Sequence, residues 1–138
     1  MANNNFFGVD MQNLVEEIYS AIEERGVIVT LGKVFGVGAS VELPVAESIC
    51  QESVERLALS VRSQNCLMRA GIDTIERLMD AIMENRLAGV RSLGKKSLAE
   101  IRAKLCEFTY ESLTESKKKA FILNEIEINK GVRENGKQ

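Results

Sequence analysis

A weak internal repeat, offset by 23 residues in the middle of the chain, limits the possible folds more than any other feature of this sequence. Gly71 aligns with Gly94, Thr74 with Ser97, Ile75 with Leu98, Leu78 with Ile101 and Ile82 with Leu105, while Leu67 and Val90 align upstream. Each copy reads as an apolar position, a turn containing glycine, a hydroxyl residue, and then apolar positions at helical spacing. Glycine permits a tight connection with unusual backbone angles. The hydroxyl three residues later is placed to accept from the free N–H groups of the next helix as an N-cap. The apolar residues pack that helix against its predecessor. Two such hairpins sharing one core form a helix-hairpin-helix pair, and residues 46–106 read as helical throughout.

A tight turn feeding a helix N-terminus points several backbone N–H groups outward, with the positive end of the helix dipole behind them. That arrangement suits phosphate. The second copy sets Lys95 and Lys96 directly after Gly94, whereas the first has Ile72 and Asp73 after Gly71. The second turn is therefore expected to hold an anion and the first to be structural. Taken alone, Lys95 and Lys96 read as a solvated surface turn; the repeat around them favours the anion site.

Charge is unevenly spread. Residues 1–59 carry three basic and nine acidic side chains, residues 60–106 nine basic and five acidic, and residues 107–138 six of each. A basic middle in a chain of net charge −2 is the footprint expected of a nucleic-acid site, and equally of a dipolar surface without a partner. Within it, Ser60 suits the N-cap of a helix carrying Arg62 and Asn65, three residues apart on one face. A surface ion pair for Arg62 and a local cap for Asn65 are the competing readings.

The stretch Ser60-Val61-Arg62-Ser63-Gln64-Asn65-Cys66-Leu67, followed by Ser92-Leu93-Gly94-Lys95-Lys96-Ser97-Leu98-Ala99-Glu100-Ile101, resembles the C-terminal domain of the bacterial RNA polymerase alpha subunit. The two motifs stand in that family's order and at nearly its spacing, over about residues 54–106. The resemblance implies a non-catalytic, transcription-associated module that binds the minor groove of A/T-rich DNA. It implies that Arg62 enters the groove, that Asn65 hydrogen-bonds nearby and that Cys66 lies close to the DNA backbone. Gly94, Lys96 and Ser97, beside Lys95, would hold phosphate, with Glu100 at the edge of that surface. A narrow A-tract groove has enhanced negative potential, which favours an inserted guanidinium. Its base edges are degenerate, so Arg62 is expected to read shape and A·T content more than sequence.

The sequence also departs from the family. Ser92 stands where the alpha subunit often has Asn, and Arg56 and Ala58 stand where better-known members carry acidic residues facing sigma factor. The large alpha N-terminal domain is absent, so a stand-alone protein with unrelated N- and C-terminal extensions is expected, with RNA polymerase or transcription factors as candidate partners. The rival reading is a protein-interaction module that docks such factors without using DNA.

The chain reads as three segments: a small α+β unit at 1–45, the helical domain at 46–106 and a charged, partly helical extension at 107–138. The overall class is mainly α. In the first segment, Met11, Leu14, Val15, Ile18 and Ile22 recur at helical steps, with Asp10 as cap and Gly26 as stop. Val27 to Leu31 is short and β-branched and reads as a strand. Gly32-Lys33 suits a hairpin turn, Val34 to Val37 is the return strand, and Val41-Glu42-Leu43 adds a third before Pro44. A free strand edge there offers a route to a homodimer. In the last segment, Ser112 and Glu115 fit a capping box. Ala120 to Leu123 fits either a helix or a strand, with helix preferred, and Gly131 to Gln138 is expected to fray.

Several function classes are disfavoured. No apolar run nears the ~20 residues that span a bilayer, and the N-terminus lacks the pattern of a secretory signal. Three widely spaced cysteines and no histidine argue against a disulfide framework or a zinc site and for a reducing cytoplasm. Gly32 to Gly38 is no nucleotide loop, because no helix with the required Lys-Ser/Thr ending follows. No cofactor, metal or catalytic residue is expected.

Overall fold

The computed structural model describes the backbone of residues 5–6, 9–36, 43–44 and 46–136, and the side chains of 10–36, 43–44 and 46–129. The chain divides into two compact units, Met1–Pro44 with Leu113–Gln138, and Val45–Ser112. The terminal segments that the sequence separates thus fall into one unit.

In the first unit, helix α1 (Met11–Arg25) starts at Asp10, whose carboxylate accepts from the Gln12 N–H at 3.1 Å. Val15, Ile18 and Ile22 form its buried stripe. Gly26 ends it with φ 93° and ψ 158°, donating its N–H to the Ile22 carbonyl at 2.8 Å. The next segment corrects the sequence reading. Val27–Phe35 is a helix, α2, where strands at 27–31 and from Val34 were expected. Its buried residues are Val27, Thr30, Leu31 and Phe35, a helical stripe that lies beneath the β-branched composition. Packing against α1 decides the outcome over local propensity. Val37, Val41 and Glu42, assigned above to strands, lie outside the described residues. Strand pairing among the described residues is limited to β1 (Asn5–Phe6) with β2 (Val9–Asp10), antiparallel, and an isolated bridge between Ser53 and Thr74. The expected hairpin is therefore replaced over 27–35 by a helix, and the proposed dimer edge loses its strand there.

Helix α6 (Glu115–Gly136) packs on α1 and buries Phe121, Ile122 and Ile126. The 120–123 stretch is thus helical, and the backbone stays helical through Gly136 where fraying was expected. The capping box is not formed. Ser112 instead closes the preceding helix, donating its hydroxyl to the Phe108 carbonyl at 2.9 Å. Thr114 caps α6, its hydroxyl accepting from the Lys117 N–H at 3.3 Å.

The second unit is helical. Short 3-10 turns at Glu47–Ile49 and Val54–Leu57 lead into α3 (Val61–Arg69) and α4 (Ile75–Met83). A third turn at Leu87–Gly89 precedes α5 (Lys95–Glu111). Leu67, Ile75, Leu78, Ile101 and Leu105 are wholly buried. The repeat keeps its phase, with 75, 78 and 82 on one helix and 98, 101 and 105 on the other, yet of these three pairs only Leu78/Ile101 is buried in both copies. The copies also differ at the helix start. α4 begins after Thr74, whose hydroxyl accepts from the Arg77 N–H at 3.2 Å, as the repeat predicts. α5 begins after Gly94, a turn earlier in the repeat, so Ser97 lies inside the helix and is not its cap.

The backbone angles at Gly26 are accessible essentially to glycine alone. Although a Cβ there would meet nothing within 4 Å, Gly26→Ala is expected to destabilise the protein by about 1–3 kcal/mol through backbone strain. Denaturant unfolding of the parent and variant measures it.

Candidate nucleic-acid interface

One carboxylate ties the two predicted motifs together. Glu100, in the second turn of α5, accepts from the Ser60 N–H at 2.7 Å, from the Ser60 hydroxyl at 3.1 Å and from the Ser63 hydroxyl at 2.8 Å. Ser60 is also the N-cap of α3, its hydroxyl accepting from the Ser63 N–H at 3.2 Å. The start of α3, with Arg62 and Asn65, is thereby fixed beside the start of α5, with Gly94 to Ser97. The Ser63 hydroxyl, then the Ser60 amide, hold the Glu100 carboxyl below its ordinary value. Glu100, expected at the edge of a DNA surface, is thus occupied within the protein.

The two hairpins differ in what their helix starts have left to offer. At α4 every early amide is spent internally. Ile75 N–H reaches the Glu52 carbonyl and Glu76 N–H the Cys50 carbonyl, both at 2.9 Å, and Arg77 N–H is taken by Thr74. At α5 the amides of Lys95, Lys96 and Ser97 have no partner among the described residues, and the first closing bond is Leu98 N–H to Gly94 O at 2.9 Å. Gly94 itself has φ −90° and ψ −177°, open to any residue, and a Cβ there would meet nothing within 4 Å. Neither backbone nor packing demands glycine at this position. A bare cap leaves the three amides open to an external acceptor.

Arg62 and Asn65 are exposed on α3, and Lys95 and Lys96 are exposed on the first turn of α5, with Ser97 half-buried beside them. Cys66 is placed differently. It is only 2% exposed, and its thiol points to the Ser92 carbonyl at 3.7 Å. Its side chain therefore ties α3 to the turn before α5. Ion pairs take up three of the cations of this unit, while Arg102 and Lys104, like those of the candidate interface, form none among the described residues. Arg56, Arg77 and Arg86 are paired with Glu52, Asp73 and Glu84 at 2.6, 3.0 and 2.6 Å. Arg62, Lys95 and Lys96 form no ion pair among the described residues. Arg69 and Arg91, which the sequence did not single out, line one cleft between the end of α3 and the turn before α5. The seven-residue step from Arg62 to Arg69 was the available signal. At the positions that depart from the family, Arg56 also lies over the Phe108 ring, 5.6 Å from its centroid, and Ala58 adopts the left-handed region at φ 56°.

Ser92 also adopts the left-handed region, at φ 70°. Most L-residues pay roughly 1–2 kcal/mol there, and asparagine is among those that visit it most readily. Ser92→Asn is therefore expected to stabilise the protein by up to about 1 kcal/mol, read as a higher denaturant midpoint. Glu100 makes a pH prediction. Because its folded pKa is lowered from 4.5, its contribution is full above that value and is lost as pH falls through the lower folded value. The melting temperature of Glu100→Gln is expected to lie furthest below the parent at neutral pH, with the gap closing under acid. A gap independent of pH would contradict this assignment.

The family of the C-terminal domain of the bacterial RNA polymerase alpha subunit matches residues 42–107. A DNA-directed RNA polymerase subunit alpha from Bacillus velezensis is 49% identical over 61 residues, an alignment that takes in 44% of this chain and 19% of that subunit. No solved structure matches the chain. No helix among the described residues is long and apolar enough to cross a membrane. The matched span takes in both motifs tied by Glu100, and over it the chain is similar to the C-terminal domain of the RNA polymerase alpha subunit.

Proposed function

We propose that the Val45–Ser112 unit is a non-catalytic, transcription-associated DNA-binding module that engages the minor groove of A/T-rich duplexes. The observation that carries this reading is the contrast between the two hairpins, in which the amides at the start of α4 are consumed and those at the start of α5 are left open beside Lys95 and Lys96. A phosphate oxygen seated there receives backbone hydrogen bonds, the positive end of a 17-residue helix and two ammonium groups. Arg62, fixed nearby through Ser60 and Glu100, supplies the guanidinium that a narrow groove attracts. Asn65, one turn along α3, supplies a donor and an acceptor for the groove edges. Likeness to a polymerase subunit supports RNA polymerase or transcription factors as partners and the bacterial cytoplasm as the place of action.

Titration of a labelled A/T-rich duplex at several salt concentrations tests the reading. Affinity is expected to fall steeply with salt, because neutralised phosphates release counterions. Arg62→Ala is expected to cost about 1–3 kcal/mol and to erode the preference for A/T-rich over G/C-rich duplex. Lys96→Ala is expected to weaken all duplexes alike and to lower the salt slope by about one. Negligible binding at low salt, or binding indifferent to Arg62, would sink the proposal.

A further inference from the structure

A cleft of about 470 Å³ lies between the end of α3 and the turn before α5, lined by Cys66, Arg69, Ala70, Val90, Arg91 and Ser92. Two of these residues are arginines and none is acidic. Both arginines are exposed. Neither forms an ion pair among the described residues, although Arg56, Arg77 and Arg86 in the same unit each do. The Arg69 guanidinium is steadied by the Cys66 thiol, with Nη2 3.8 Å from Sγ. That thiol in turn points to the carbonyl of Ser92, the residue following Arg91. The cleft thus takes one cation from the end of α3 and one from the turn before α5.

We propose that Arg69 and Arg91 form a second phosphate clamp, extending the DNA interface beyond the groove-reading arginine and the start of α5. The clamp rests on the DNA-binding reading given above. Its place follows from helix geometry. Seven residues return a side chain to within about 20° of the same face and advance it by about 10 Å, so Arg69 lies in line with Arg62 two turns on. A minor groove is about 6 Å wide, so where α3 crosses it with Arg62 seated inside, a cation about 10 Å along the helix meets the bounding sugar-phosphate strand. Arg91, on the turn, precedes Gly94 by three residues and so stands close in sequence to the open amides of α5. A guanidinium engages phosphate through two parallel N–H donors, so the two arginines take one each of two neighbouring phosphates. The contact carries no sequence information, only affinity and salt dependence.

The test uses the full-length protein with Arg69→Gln, Arg91→Gln and the double variant, alongside Arg69→Lys and Arg91→Lys. Each is titrated on the A/T-rich and G/C-rich duplexes across salt. The slope of log affinity against log salt is expected to fall by about 0.9 for each arginine removed to Gln, with the A/T preference unchanged and the slope kept in the Lys variants. Thermal unfolding of each variant separates loss of contact from loss of fold. If the Gln variants keep the parent slope while Arg62→Ala still loses A/T preference, the clamp is overturned and the DNA reading survives. If Arg62→Ala and Lys96→Ala are also without effect, the DNA reading has failed and the clamp fails with it.

Discussion

The arrangement of the candidate interface depends on Glu100. A single carboxylate accepts three hydrogen bonds from Ser60 and Ser63, residues 40 and 37 positions away in sequence, and thereby sets the start of one helix against the second turn of another. Charge-assisted hydrogen bonds are stronger than neutral ones, and a carboxylate satisfied by fixed donors has little freedom to swing towards solvent. Arg62 and the α5 turn sit on separate helices with no covalent reason to share a face. Glu100 provides that reason, and the Cys66 thiol on the Ser92 carbonyl adds a second tie a turn further along α3.

The parts of this arrangement that are local in sequence were legible in the sequence. Asp10, Ser60 and Thr74 each cap the helix that their side-chain chemistry predicts, because a cap is decided within three residues. The two interface motifs were legible for the same reason, and so was the difference between a lysine-bearing turn and a plain one. Events decided at longer range were not. The segment 27–35 has the composition of a strand, and only burial against α1 selects the helix. Ser97 looked like the cap of α5 because the repeat places it opposite Thr74, but a glycine without a side chain starts the helix a turn sooner. Ser112 looked like the cap of α6 and instead closes the end of α5. The inward commitment of Glu100 was hidden because its partners are some forty residues away.

Cys66 shows how likeness and packing can point to different roles for one residue. The resemblance sets it beside DNA, and the fold buries it behind the residues that would touch DNA. Its place on α3 explains both: it follows exposed Asn65 directly but falls on the buried stripe with Ser63 and Leu67. The side chain then acts through the Ser92 turn that it supports.

The inequality of the two hairpins bears on how this protein tolerates change. At the α4 start, amides and hydroxyl are all engaged with the protein's own groups, so substitutions there are felt as lost folding. At the α5 start, nothing internal depends on the open amides or on the absence of a side chain at Gly94. Substitutions there spare the fold and are felt only when a ligand arrives. The repeated motif thus has one copy tied to stability and one that is not. On the DNA-binding reading, the second copy can change its target without the protein first having to recover lost stability.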